Sequence, residues 1–428
     1  MNRLLLLGII TYLLAIVGLL TLNGTMVALV VPLVFFLGAS LLYGPAEPHL
    51  TIQRSLSAER VSEGNQVDVT LSITNVGSKI ELFLVKDTPP PELEIVEGDP
   101  DLLCTLQPGE TALIEYSLLA RRGRYQFGSI WLEISDYLGV FRHLEWRKLE
   151  ETSEFFVMPT VSTVDRIPIR PRQTKAFAGY IPARLGGPGT EFFGVRGYQR
   201  GDSLRHINWR ANARNPGKIF TNEYEQERVA DVGIILDARQ RSHVQIGADS
   251  LFDFSVKAAA ALADSFINDA NRVGLLRYGD FLDWTLPGYG KIQRERIMQS
   301  LAKARPGESM VFDQFENLPS RFFPPKSQIV LVSPLLSEDA NALIRLRSRG
   351  YSVLVVSPDP VSFEMSLTRD TPLAVMSARI ARLERALLFQ KVRAAGVQMI
   401  EWDVRQPFEQ SVTPQLRRYS AAAAHMQG

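Results

Sequence analysis

The stretch from Gly189 to Tyr224, GTEFFGVRGYQRGDSLRHINWRANARNPGKIFTNEY, concentrates residues whose types could do chemistry. Arg196, Arg200, Arg205, Arg210, Arg214 and Lys218 are interleaved there with Phe192, Phe193, Tyr198, Trp209, Phe220 and Tyr224. Guanidinium groups beside an aromatic anchor suit a docking or anion-binding surface. Arginines with interleaved aromatics also suit nucleic acid, through phosphate contacts and base stacking. Asp202, Arg205 and His206 could serve a hydrolase built on the Gly201-Asp202 pair. Set against these is a purely structural role, because buried arginines need carboxylate partners, and Glu191, Asp202, Glu223 and Glu225 are at hand. A second group, Asp237, Arg239 and Arg241, follows the short apolar run Val232–Leu236.

Positioning these residues requires a turn and a helix. Gly201 reads as the turn and Asp202 as the N-cap of a helix over Ser203–Ala213, ended by Asn215, Pro216 and Gly217. At 100° per residue Arg205, Trp209 and Asn212 share one face, His206, Arg210 and Arg214 another, and Leu204, Ile207 and Ala211 the packing stripe. Arg205, close to that stripe, is expected to be partly buried and paired with Glu191 or Glu223, with Arg210 and Arg214 more exposed.

The same residues carry a resemblance. Gly189, Glu191, Phe192, Arg196, Tyr198, Gly201, Asp202, Arg205, Ile207, Trp209, Ala213 and Arg214 fill the places of a signature similar to that of the domain of unknown function 58 family. The resemblance implies a bacterial, membrane-anchored protein that works beside a MoxR-type AAA+ ATPase. Its expected role is that of a non-enzymatic adaptor in the assembly or chaperoning of an unidentified protein client.

Composition narrows the alternatives. A chain of 428 residues is too long for one core, so two or three domains are expected. A net charge of +1 argues against a dedicated nucleic-acid binder. The single cysteine, Cys104, excludes an intrachain disulfide, and five scattered histidines offer no zinc-ligand spacing. No cofactor or resident metal is expected.

Two charge-free apolar runs, Leu4–Leu22 and Met26–Tyr43, separated by Asn23, Gly24 and Thr25, read as a transmembrane helical hairpin over residues 1–46. Arg3 ahead of the first run places both termini, and hence the soluble domains, in the cytoplasm of a two-helix inner-membrane protein. A signal peptide is the rival reading, without a small-x-small cleavage site before Asn23. Alternation such as Val67, Val69, Leu71 and Ile73 against Asp68, Thr70, Ser72 and Thr74 predicts an antiparallel, immunoglobulin-like β-sandwich over 50–160. A linker rich in proline, glycine and basic residues occupies 161–188, and the signature insertion 189–226.

From 227 to 428 apolar runs alternate with helical patterns, which predicts a doubly wound, mainly parallel α/β sheet. One of the helices, over Arg379–Ala395, reads as an amphipathic cover for the sheet through Leu383, Leu387 and Leu388. The order of elements resembles a von Willebrand factor A-type domain. That resemblance implies a divalent cation at the strand ends held by Asp-x-Ser-x-Ser, where this chain has Asp237, Arg239 and Arg241. It also implies a second aspartate where Ser333 and Pro334 stand. Two guanidinium groups repel a cation, so the metal motif is degenerate and Asp237 should pair with an arginine instead.

Overall fold

The computed structural model describes residues 3–42, 49–135, 142–149, 154–164, 167, 175–215, 217–247, 249–279, 282–307, 309, 314–319, 322–369 and 371–425. The chain divides into two compact units, Met1–Met158 and Pro159–Gly428.

The first unit opens with two helices, α1 (Arg3–Leu20) and α2 (Gly24–Leu42). They pack together where Gly18 offers no side chain, since a Cβ there would lie 3.0 Å from Val27. The membrane expectation is corrected here, for no helix among the described residues is long and apolar enough to cross a membrane. The apolar letters run on to Leu22, but helix α1 stops at Leu20 and Leu22 turns into the left-handed region at φ 51°. At 1.5 Å per residue α1 is about 27 Å long, short of the ~30 Å bilayer core. Thus the transmembrane hairpin over 1–46 and the two-helix inner-membrane placement fall, and residues 43–46 lie outside those described.

Among the described residues of this unit eleven strands follow: β1 (Leu50–Leu56), β2 (Arg60–Ser62), β3 (Gln66–Asn75), β4 (Ile80–Lys86), β5 (Glu94–Gly98), β6 (Asp101–Leu106), β7 (Thr111–Leu119), β8 (Gly123–Gln126), β9 (Ile130–Ser135), β10 (Arg142–Arg147) and β11 (Glu154–Met158). They form antiparallel sheets ordered β1-β3-β7-β5 and β10-β9-β4-β6, and a smaller sheet β2-β11-β8. Val67, Val69, Leu71 and Ile73 of β3 meet Phe83 and Val85 of β4 and Ile130 and Leu132 of β9 in one core. Two sheets sharing a core make a sandwich, because period-two alternation gives each sheet a single apolar face. A polar cluster is sunk into it. Arg54 and Tyr116 both donate to Asp87, the tyrosine hydroxyl at 2.7 Å, and the Arg54 and Asp87 side chains are 1% and 0% exposed. The expected turn Asp136–Gly139 lies outside the described residues.

The second unit begins with a long antiparallel ribbon, β12 (Lys175–Gly197) with β13 (Phe220–Val229), interrupted by register shifts. Strand β12 therefore starts inside the stretch read as a linker. A small lobe lies between the two strands, with a 3-10 turn at Leu204–His206 and a six-residue helix α3 (Trp209–Arg214).

The main sheet has the order β18-β17-β14-β19-β20-β21. Its strands are β14 (Asp231–Asp237), β17 (Arg272–Tyr278), β18 (Leu282–Gly288), β19 (Gln328–Val332), β20 (Ser352–Pro358) and β21 (Gln398–Trp402). Strands β15 (Gln245–Ile246) and β16 (Asp249–Ser250) pair separately. All neighbours in the main sheet run parallel except the edge strand β18. The covering helices are α4 (Leu251–Asn268), α5 (Gly290–Ala302), α6 (Asp339–Ser348), α7 (Pro360–Leu367), α8 (Pro372–Ala394) and α9 (Phe408–His425). Every residue of β14, β19 and β20 is buried, as a strand covered on both faces requires. Ile235, Leu331, Val355 and Met399 pack with Leu343 of α6 and Phe389 of α8, while α4 lies on β14, β17, β19 and β20. The chain leaves β14 for β17 on one side and crosses back to β19 on the other. The ends of β14 and β19 thus flank the switch point where open parallel sheets gather ligands.

Candidate functional site

Asp237 ends β14 at that switch point, and its charge is met from within the chain. Arg239 curls back so that its Nε and Nη2 donate to the Asp237 carboxylate at 2.9 Å each. The outer edge of the same guanidinium donates to Asp339 at 3.0 and 2.8 Å. Ser333, just past β19, donates its hydroxyl to Asp237 at 2.6 Å. The Phe315 ring lies under the guanidinium, its centroid 3.8 Å from Cζ. Arg239 is only 1% exposed, Asp237 0% and Asp339 2%.

One guanidinium here serves two buried carboxylates. Burial opposes the charge of Asp237, yet the hydrogen bonds and charge of Arg239 outweigh it and hold this carboxyl below its ordinary value. For Asp339 burial wins and its carboxyl is raised, so it is the member that takes a proton first. His243, whose Nε2 is 2.7 Å from the Asp237 carbonyl oxygen, is half-buried, and desolvation of its ring holds it below its usual value. Arg241 points elsewhere and pairs with Glu338 at the surface. The site is a sealed ion cluster, with positive charge already built in.

The neighbouring strand end is closed in the same way. Arg385 of α8, 9% exposed, donates to the Pro334 carbonyl at 2.7 Å and to the Ser357 hydroxyl at 3.2 Å. Its Nε lies 3.3 Å from Asp359, whose carboxylate caps α7 by accepting from Val361 and Ser362. A cavity of about 440 Å³ opens beside it between α7 and α8, lined by Leu335, Val361, Met365, Ala378 and Leu388.

In the signature lobe the expected single helix is corrected. Asp202 does not cap it, because Arg196 of β12 donates to both its oxygens at 2.8 Å and the Gln199 N–H donates to it at 2.9 Å. Asp202 is held below its ordinary value chiefly by the Arg196 hydrogen bonds. The chain makes a 3-10 turn and pairs Ile207 with Thr221 before α3 begins. The N-cap is Asn208, whose Oδ1 accepts from Ala211 and whose Nδ2 donates to Asn222 at 2.7 Å. Asn212 accepts from the Phe220 N–H at 2.7 Å, which ties α3 to β13. Gly201, at φ 110°, makes the turn that a side chain would strain.

Arg196, not Arg205, is the bridging arginine, since its Nε also reaches Glu223 at 3.3 Å. Arg205 is exposed and makes no ion pair among the described residues. Tyr198 pairs its backbone with Ile219. Gly189 and Glu191 lie in β12, but the Glu191, Phe193 and Glu225 side chains are outside the described residues. Phe192 is 61% exposed, Leu204 70%, Trp209 72% and Ile219 55%. Arg200, Arg205, Arg210, Arg214 and Lys218 are exposed too. Asp202, Arg205 and His206 do not converge, for Asp202 is held by Arg196 and the His206 ring sits edge-on to Tyr224 at 4.9 Å. Sequence reasoning missed Asp339, Phe315, Asn208 and Arg385, and the role of Asn212, whose partners lie far off or across a turn.

The class these features define is an α+β protein of two units, with an arginine-sealed parallel sheet and a ribbon-borne basic and aromatic lobe. Residues 194–378 match the family model described as protein of unknown function DUF58, which supports the DUF58 family for that stretch. No curated protein matches the chain. Among solved structures, the CARDB domain of PF1109 from Pyrococcus furiosus is 15% identical, covering 26% of this chain and 88% of its own, at TM-score 0.18. The cupredoxin domain of amoB from Nitrosocaldus yellowstonii is 14% identical over the same shares, at TM-score 0.19. A FixG-related protein from Vibrio parahaemolyticus is 12% identical, covering 26% of this chain and 98% of its own, at TM-score 0.17.

Proposed function

We propose that the protein is a non-enzymatic adaptor whose signature lobe docks a MoxR-type AAA+ ATPase during assembly or chaperoning of a protein client. One observation carries the reading: the polar groups that build the lobe face inward, while Trp209 and the cations Arg200, Arg205, Arg210, Arg214 and Lys218 are left outside. Arg196, Asp202, Glu223, Asn208 and Asn212 are spent on one another and on backbone. Trp209, Leu204 and Ile219 stay in water beside Arg205, Arg210 and Arg214. Exposed tryptophan with arginine is the composition of interface anchors. The larger unit is read as a von Willebrand factor A-like domain in which Arg239 takes the place of the divalent cation. The hydrolase reading loses its support because Asp202 is committed to Arg196.

Capture of the purified ATPase on the immobilised full chain tests this. Trp209→Ala should weaken capture by about 2 kcal/mol or more. Reversing Arg210 and Arg214 to glutamate should also weaken it, with thermal stability unchanged. Unchanged capture by both variants, or unfolding by the double reversal, refutes the docking role.

A further inference from the structure

Helix α8 has two faces of different character. Ala378, Arg385 and Val392, seven residues apart, are buried against their own unit, with Phe389 beside them. The opposite side carries Leu373, Met376, Ile380, Leu383 and Leu387, exposed at 76%, 66%, 56%, 67% and 68%. Leu383 and Leu387, expected to cover the sheet, point to water. Successive spacings of three, four, three and four give the 3.5-residue period of a coiled-coil seam. In heptad terms Leu373, Ile380 and Leu387 are a positions and Met376 and Leu383 are d positions. Ala378, Arg385 and Val392 are then f positions, directly behind the seam. Single exposed leucines need no explanation, but an unbroken apolar stripe marks an interaction surface.

The flanking charges choose the partner. Arg379 is a g position and Glu384 the e position of the next heptad, and both are exposed. In a parallel pair g of one helix meets e of the other, so a two-fold axis makes two Arg379–Glu384 contacts. An antiparallel pair sets g against g, where the charged residues are Arg379 and Arg393, both cations, and e against e, where Glu384 and Lys391 stand; only the parallel pair sets Arg379 against Glu384. Ile380 at a with Leu383 at d favours two parallel strands. The helix is already folded, with Pro372 in its first turn and the Thr371 hydroxyl accepting from Ala374, so its nucleation is not charged to association.

We propose that α8 is the interface of a parallel, two-fold symmetric homodimer of this chain. The seam is separate from the signature lobe and stands whether or not that lobe docks an ATPase. Two copies would bury on the order of 1,000 Å², the lower bound for a specific interface, so the dimer is reversible and weak.

The test uses the full chain with Cys104→Ser as background. Leu383→Cys, at a d position, should give a covalent dimer under mild oxidation, and Arg382→Cys, exposed but off the seam, should not. In sedimentation equilibrium Arg379→Glu should weaken the dimer about tenfold, Glu384→Arg likewise, and the double exchange should restore it. Circular dichroism and melting controls establish that each variant is folded. The proposal is overturned if position 383 cross-links no more than 382, or if the reversals leave association unchanged. A seam found to hold another protein's helix, with this chain monomeric, overturns it equally.

Discussion

Arg239→Met removes the charge at the head of the sheet while keeping a flexible stem to lie on Phe315. The guanidinium donates two hydrogen bonds to Asp237 and two to Asp339, all within 3.0 Å and out of water. Breaking a buried ion cluster by taking one partner costs about 3–5 kcal/mol, because the charges left behind are uncompensated. In a unit of this size each kcal/mol moves the melting temperature by about 2–4 °C, so a fall of roughly 10 °C is expected. The pH dependence gives a second reading of the same cause. In the native chain Asp237 is held below its ordinary value, so its contribution is present above the carboxylate range and is lost only as pH falls through that depressed value. Without Arg239 burial acts unopposed and raises both carboxyls above their unfolded values. A raised carboxyl contributes stability in acid and loses it as pH rises through the folded value. The deficit of Arg239→Met should therefore shrink steadily between about pH 8 and pH 5. Urea unfolding across that range measures it. Adding Asp237→Asn and Asp339→Asn should recover much of the loss, since neutral partners need no cation. A deficit below about 1 kcal/mol, or one that ignores pH, refutes the argument.

Arg196→Ala should lower the melting temperature of the second unit more than Arg205→Ala does, because only Arg196 gives up carboxylate partners, Asp202 and Glu223. Thermal melts with the opposite ranking would return the bridging role to Arg205. Titrating the full chain with magnesium or manganese in a calorimeter should give no saturable heat from the strand ends; a saturable heat lost in Asp237→Ala would contradict the sealed cluster. Tyr116→Phe in the sandwich should cost about 1–2 kcal/mol in urea unfolding, for it strips a buried hydrogen bond from Asp87. A neutral result would mean that Arg54 and the Thr88 N–H satisfy that carboxylate between them.

Local order was readable in the sequence where one physical signal acted alone. The period-two alternation of Val67, Val69, Leu71 and Ile73 is realised in β3, each of the four fully buried. The unbroken run Val232–Leu236 lies in β14, covered on both faces. Reading failed where two signals competed. Gly201-Asp202 has the form of a helix start, but a guanidinium six residues earlier binds both oxygens of Asp202 and displaces the cap to Asn208. Helix α8 carries apolar residues on two sides, and periodicity cannot say which side turns inward. Arg385 settles it by reaching the Pro334 carbonyl from the face that Leu383 was expected to occupy. The apolar letters of the first helix run past its end at Leu20 into a closing turn where Leu22 is left-handed, so counting letters overestimated the length of α1.

An arginine between Asp237 and Asp339 changes what the switch point can do. A bound divalent ion keeps open positions for an outside carboxylate or phosphate, whereas a guanidinium held by four hydrogen bonds and stacked on Phe315 has its donors committed. Arg385 commits two donors to Pro334 and Ser357 in the same manner. With these guanidinium donors committed, surfaces where cations and apolar groups stay in water become the candidates for recognition. In this unit the lobe bearing Trp209, Arg210 and Arg214 and the α8 seam flanked by Arg379 and Glu384 are among the described surfaces that meet that condition. They lie on different elements, so a partner at the lobe and a second copy at the seam could be bound together. A symmetric dimer would then present two lobes, and linked sites raise avidity without any new contact when the partner is itself oligomeric. Disrupting the seam should for that reason weaken capture of an oligomeric partner while leaving binding of its single subunit unchanged.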